Sequence, residues 1–394
     1  MIEFFLFASV GLYIVFLISM GGLYIHIPFC KSRCIYCDFY STTGGEELRR
    51  RYVDALCSEL SARHDEMGEN SLRTLYLGGG TPSVLQDREL ERIFDEMGLF
   101  YSLDPEAEVT MEANPDDVTD DFIRTLRRLG VNRVSLGIQT FDDGMLRFLR
   151  RRHSAAEAKR AVEMLYEGGI ENLSIDLIYG LPGQTPGLWA ADLREALSLP
   201  VAHLSAYALM YEEGTALYRL RGAGHISEVG EEDSLAMFRL LMRETRKAGF
   251  EHYEISNFAR PGYRSRHNSA YWDGTPYIGC GPGAHSYDGR NVRRSNDADI
   301  AGYVASPGRP PCHIEHLSRA ECCDELVFTA LRTRNGLSLK RLESDFGREA
   351  VQTVLALARP HIAKGLLERD NERLALTEEG IFLSDMVMSD LMIG

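Results

Sequence analysis

This chain of 394 residues has no excess of positive charge: 43 Lys and Arg stand against 58 Asp and Glu, for a formal net charge of −15. Phosphate contacts require Lys and Arg, so the balance excludes a chain-wide role on nucleic acid or another polyanion. A disulfide framework is also missing. Five of the eight cysteines, at Cys57, Cys280, Cys312, Cys322 and Cys323, follow no regular spacing, which points to a reducing, cytoplasmic setting. The N-terminal segment lacks the parts of a signal peptide. Met1 to Met20 is almost wholly apolar, with Glu3 its only charge, but it has neither a basic n-region nor a small-residue cleavage site. Its length is marginal for a bilayer span, and only Gly21 and Gly22 separate it from the first strand-like run. We read it first as a gene-start extension with translation from Met20, second as a membrane anchor giving membrane association, and third as a packed helix.

The remaining three cysteines lie together in Cys30-Lys-Ser-Arg-Cys34-Ile-Tyr-Cys37, directly after the run Leu-Tyr-Ile-His-Ile. Such spacing lets one short loop present three thiolates to one inorganic cluster. Three cysteines on a [4Fe–4S] cluster leave one iron without a protein ligand, whereas electron carriers normally use four. An open iron can take a small molecule. Packed cysteines acting as small hydrophobes are the bland alternative. A zinc site would need a fourth ligand, or an open position with three, at a different spacing.

The middle of the chain alternates strand and helix patterns. Strands are expected at Leu23–Ile27, Thr74–Leu77, Glu108–Glu112, Arg133–Gly137, Leu173–Ile178 and His203–Tyr207. Helices are expected near Glu46–Met67, Asp87–Phe100, Thr119–Leu129, Ala155–Gly168 and Leu188–Leu199. Parallel strands need helical crossovers, so the fold class is α/β, a partial (β/α)6 barrel. In such barrels chemistry sits at the C-terminal ends of strands. There lie Gly78-Gly79-Gly80-Thr81-Pro82, Glu112, Gln139 and Asp176. A carboxylate such as Asp176 inside an apolar strand needs a hydrogen-bonding or basic partner, and Arg150, Arg151 and Arg152 are candidates.

Residues 231–311 read as an extension of the barrel (itself residues 21–230), with a helix at Glu231–Ala248 and a strand at His252–Ser256. The stretches Arg266-His267-Asn268-Ser269-Ala270-Tyr271-Trp272 and Gly279 to Ser286 are loop-like, and Pro307 to Pro311 reads as a linker. Residues 312–394 then suggest a winged-helix-like domain. Its helices are expected at Ala320–Thr333, Leu339–Phe346 and Ala350–Lys364, with a wing from Leu366–Glu368 and Arg373–Leu376 and a final helix. With 10 Lys and Arg against 14 Asp and Glu it suits docking or a lid better than DNA binding.

The Cys-x3-Cys-x2-Cys spacing resembles the signature of radical S-adenosylmethionine (SAM) proteins. Tyr-Ile-His-Ile-Pro-Phe-Cys, Gly-Gly-Gly-Thr-Pro, Ile-Asp-Leu-Ile-Tyr-Gly-Leu-Pro and His-Asn-Ser-Ala-Tyr-Trp together resemble the HemW family of heme chaperones, from Leu23 to the C-terminal domain. The first three are shared with the related oxygen-independent coproporphyrinogen III dehydrogenase. His-Asn-x-x-Tyr-Trp marks the HemW branch, and Phe39 stands where the dehydrogenase carries an additional Cys.

The resemblance implies that Cys30, Cys34 and Cys37 ligate the cluster, with Tyr24, Gly79 and Glu112 contacting SAM on its open iron. Tyr36, Gly80, Thr81, Gln139, Arg151 and Asp176 match positions that hold a second SAM in the dehydrogenase. The expected function is heme binding and delivery to acceptors such as respiratory hemoproteins. Heme iron favours a soft or imidazole ligand; His267 is the first candidate, followed by Cys280 and His285. Decarboxylation of coproporphyrinogen III is an alternative, against which Phe39 and the HNSAYW stretch speak. Another radical SAM transferase activity is a third reading.

Overall fold

The computed structural model describes residues 21–66 and 71–394. The readings of residues 1–20, and the end of the helix expected to reach Met67, lie outside the described residues.

The alternation forms as the sequence dictates. Strands β1 (Gly22–Ile27), β2 (Ser71–Gly79), β3 (Ser102–Ala113), β4 (Arg133–Gln139), β5 (Asn172–Tyr179) and β6 (His203–Ala208) pair in parallel in that order. The crossovers carry α1 (Glu46–Arg63), α2 (Asp87–Phe100), α3 (Asp120–Arg128), α4 (Asp143–Phe148), α5 (Ala155–Glu167) and α6 (Pro186–Ser198). Side chains alternate along β1: Leu23, Ile25 and Ile27 enter the core shared with Tyr52, Leu56 and Leu60 of α1. Tyr24 points the other way, towards Tyr76 and His267. Helix starts are set by local chemistry. Reciprocal capping boxes at Gln86 and Ser154 open α2 and α5, satisfying backbone donors that would otherwise be orphaned.

The sheet does not stop at six strands. After α7 (Ala216–Gly222) and α8 (Glu231–Lys247), β7 (Glu251–Glu254) and β8 (Asn257–Ala259) extend one edge. On the other side of β1 lie β9 (Tyr277–Cys280), β10 (His285–Tyr287), β11 (Val292–Asn296) and β12 (Cys312–His316), giving an open sheet of 12 strands among the described residues. The short α10 (Ile300–Ala305) connects β11 to β12. The stretch expected to be loop-like at 266–272 is instead helix α9 (Arg266–Asp273). Ser265 caps its start by accepting from the Asn268 N–H, and Gly274 ends it in the left-handed region at φ 80°. Likewise, residues 279–286 supply parts of two strands.

A boundary at residue 312 would cut through this sheet, because Cys312–His316 pairs with β11. The C-terminal module follows: α11 (Arg319–Leu331), β13 (Leu337–Ser338), α12 (Leu339–Phe346), α13 (Arg348–Ala363), β14 (Leu367–Arg369), β15 (Arg373–Leu376), α14 (Glu378–Phe382) and α15 (Ser384–Asp390). Its own core gathers Val327, Leu342, Val354, Leu374 and Met388. The expected wing gains a third strand, β13, and the expected final helix is two short ones. The module abuts the β7 edge. A bridge joins Glu254 to Thr333, and the N–H groups of Ile255 and Arg334 donate to the carbonyls of Arg332 and Tyr253. Among the described residues, no helix is long and apolar enough to cross a membrane.

Candidate functional site

The register of β1 on β2 sets the frame. Gly22 lies beside Thr74 and Ile27 beside Gly79, so the cysteine loop and the glycine loop leave the same, C-terminal end of the strands. The cysteine loop is tied back where the Cys30 N–H donates to the Thr42 carbonyl at 2.9 Å. Its three thiols are free and half-buried. Burial pushes the Cys37 thiol up to about 11, with Cys34 and Cys30 adding to the shift, so the three sulfurs sense one another. Among the described residues, no three His, Cys, Asp or Glu side chains are grouped for a single metal ion. With Zn–S bonds of about 2.3 Å a zinc ion would draw its sulfurs to about 3.8 Å apart. Three thiols on one loop, close enough for Cys30 and Cys34 to act on Cys37, are the donor set that a [4Fe–4S] cluster with one open iron takes.

Opposite the thiols, Gly79 has φ 107°, and a side chain there would strike the His26 ring at 2.6 Å. A side chain on Gly80 would meet the Phe29 carbonyl oxygen at 2.7 Å. Only glycine allows this close approach of the two loops. Thr81 Oγ1 lies 3.5 Å from Cys30 Sγ and accepts from Asn114 Nδ2 at 3.2 Å. Glu112 accepts from the Tyr76 hydroxyl at 2.7 Å and from the Gly79 N–H at 3.1 Å. Burial raises its carboxyl to about 7, against the lowering effect of the Tyr76 bond. A carboxylate held at the glycine loop suits the N–H groups of an amino group such as that of SAM.

The positions matched to a second SAM lie around the same mouth. Asp176 accepts from Ser135 Oγ at 3.3 Å and is also bonded by Ser205; burial nonetheless raises its carboxyl. Gln139 closes β4 with φ 75°, a left-handed conformation costing a non-glycine residue about 1–3 kcal/mol. Tyr36 is hydrogen-bonded to Cys34, and burial pushes its phenol up. The arginine run divides its work. Arg152 pairs with Asp116 and Asp117, whereas Arg151 donates to Cys34 Sγ at 3.3 Å and to the oxygens of Asn114 and Gly137.

Sequence reading missed a clamp. Buried Asp117 receives Lys31 from the cysteine loop, Ser83 from the glycine loop at 2.8 Å, and Arg152. No spacing signals it, because its partners come from separate loops.

The three heme-ligand candidates are not brought together. His267 sits at the Gly22–Thr74 end of the strands, five residues of register from Gly79, or about 16 Å. It is 1% exposed, bonded to Thr74 Oγ1 at 2.8 Å and to the Tyr271 hydroxyl at 2.9 Å, and stacked on Tyr76 at 5.0 Å. Tyr24, which bonds His26 Nδ1 at 3.0 Å, packs against the same pair of rings. Cys280 is buried, and His285 is exposed on β10.

Residues 24–196 match the radical SAM superfamily model and residues 317–383 the HemN C-terminal domain model. The chain is 34% identical to the heme chaperone HemW of Lactococcus lactis, over 95% of this chain and 97% of that one. It is 37% identical to the heme chaperone HemW of Mycobacterium tuberculosis, over 94% of each chain. The fold matches the structure of the coproporphyrinogen III oxidase HemN of Escherichia coli, described as a radical SAM enzyme, with a TM-score of 0.83 at 23% identity, covering 95% of this chain and 91% of that one. The partial (β/α)6 barrel expected from the alternation, and the radical-SAM type that the resemblance implied for it, are therefore the fold found, and membership of the superfamily implies a [4Fe–4S] cluster and SAM. By its likeness to these chaperones along nearly its whole length, the chain belongs to the HemW family within the radical SAM superfamily.

Proposed function

We propose that this protein binds heme and passes it to acceptor proteins such as respiratory hemoproteins, while Cys30, Cys34 and Cys37 hold a [4Fe–4S] cluster with SAM on its open iron. The cluster supplies a site where the amino and carboxylate groups of SAM are held. Glu112 and the Gly79 backbone orient the amino end, Tyr24 lines the same face of β1, and Asp117 keeps the two loops in register. Tyr36, Gly80, Thr81, Gln139, Arg151 and Asp176 border the space where a second SAM would lie.

One observation carries the reading. The HNSAYW helix, α9, is packed into the barrel so that His267 stacks on Tyr76, whose hydroxyl bonds Glu112. The motif of the chaperone branch is thus continuous with the cofactor face. Burial pushes His267 down to about 3, so its imidazole is neutral at working pH, the form that ligates iron. Heme ligation there requires α9 to release Thr74 or Tyr271. The exposure of His285 favours it as a second site, because no rearrangement is needed.

The test is a heme titration of anaerobically reconstituted protein, followed by transfer to an apo-acceptor. Wild type should bind and release heme, and should yield no protoporphyrinogen from coproporphyrinogen III and SAM. Catalytic loss of carbon dioxide from that substrate would overturn the reading. Loss of heme retention in His285→Ala but not His267→Ala would move the ligand to β10.

A further inference from the structure

We propose that Arg151 sets the reduction potential of the iron–sulfur cluster through an N–H···S bond to Cys34, an inference that rests on the cluster reading above. The local backbone places the side chain. Arg150 adopts φ 59°, turning the chain at the end of α4, and the Arg151 N–H then donates to the Leu146 carbonyl at 2.8 Å. Of the three consecutive arginines, Arg150 is exposed and Arg152 is neutralised by Asp116 and Asp117. The guanidinium of Arg151 instead meets two neutral oxygens, Asn114 Oδ1 and the Gly137 carbonyl, and the Cys34 sulfur at 3.3 Å. Those two oxygens fix the planar fork, and its remaining charge is directed at the thiol.

Reduction adds one electron to the cluster, from 2+ to 1+, with no bond made or broken. The added negative charge spreads onto the ligating sulfurs. A donor and a full positive charge at one sulfur stabilise the reduced state more than the oxidised one, which raises the potential. Hydrogen bonds from outside the ligand set are a recognised lever on such sites. Arg151 touches a ligand, not the irons, and is a positioning and tuning residue in this sense.

The experiment compares reconstituted wild type, Arg151→Met, Arg151→Lys and Arg150→Met, the last at the exposed neighbour, titrated with dithionite without SAM and followed by electron paramagnetic resonance. Iron and sulfide content should be equal in all four. The Arg151→Met midpoint should move to a more negative potential, Arg151→Lys should recover part of the shift, and Arg150→Met should stay near wild type. A fully loaded Arg151→Met cluster with the wild-type midpoint overturns the proposal. An equal shift in Arg150→Met also overturns it, because overall charge would then be the cause. Should Arg151→Met fail to take up a cluster, Arg151→Lys carries the test. It keeps the charge and loses the fork, so its midpoint should move part of the way in the same direction, and an unmoved midpoint overturns the proposal. Absence of a cluster from wild type would sink the cluster reading instead.

Discussion

Glu112 carries the clearest pH prediction. Its carboxyl is held at about 7 by burial, and the anion is the form that accepts the N–H groups of SAM's amino end. Affinity should therefore rise with pH through 7: the anionic fraction falls about tenfold between pH 8 and pH 6, and the apparent dissociation constant should rise by about the same factor. Equilibrium dialysis with SAM at the two values checks this, and Glu112→Gln should bind weakly with no such dependence. A second prediction concerns the cysteines. Alanine at Cys30, Cys34 or Cys37 should abolish the broad visible absorption of the reconstituted cluster, whereas Cys57→Ala and Cys322→Ala should leave it unchanged. Equal iron content in all five variants would remove the triad from its role. Residues at this scale were legible in unequal measure. The thiols announce themselves because their spacing is local. The clamp at Asp117 and the Arg151–Cys34 contact join residues 86 and 117 positions apart, and no pattern along one chain encodes such pairs.

At the scale of elements, α1, α2, α3, α5 and α6 could be read to within a few residues from their apolar period, whereas α4 and α7, at six and seven residues, are too short to show one and were not expected. Helix α9 could not be read either. Its eight residues are too few for a period, and His, Asn, Tyr and Trp have modest helix propensity, so the Gly- and aromatic-rich context suggested a loop. What makes it a helix is the Ser265 cap together with Glu108, whose carboxylate accepts the N–H groups of Arg266 and His267 at 3.0 Å each. Tertiary structure supplies that carboxylate from β3. Ser265→Ala should accordingly destabilise the protein by about 1–2 kcal/mol, measured by denaturant unfolding. His267→Ala should weaken heme retention without loss of cluster iron. Because it strands the buried Thr74 hydroxyl and the half-buried Tyr271 hydroxyl, it should also cost about 1–3 kcal/mol. Heme binding at wild-type strength in that variant would discard His267 as the ligand.

On the scale of the whole molecule, the alternation made six parallel strands legible and β7 was expected at His252–Ser256, whereas β8 to β12 were hidden because they are short and mostly antiparallel. The two ends of the open sheet are treated differently. The β12 edge shows His313, Glu315 and His316 to solvent, while the β7 edge is covered by the C-terminal module through the Glu254–Thr333 bridge. Ending the chain after His316 would uncover that edge and the face of Trp272 on which Arg332 rests at 4.7 Å. Light scattering should show concentration-dependent self-association of the shortened protein; a monodisperse monomer would refute the capping role. The join between β1 and β9 also has a consequence in time. Gly22 stands beside Tyr277, so on the ribosome the first strand waits for its second neighbour until about 255 further residues are made. At usual synthesis rates that is on the order of tens of seconds. During this interval β1, from which the cysteine loop leaves, is paired on one side only. On the cluster reading, oxidants and iron donors then meet its thiols before the chain is complete, so protein synthesised under air should carry less iron than protein synthesised without it.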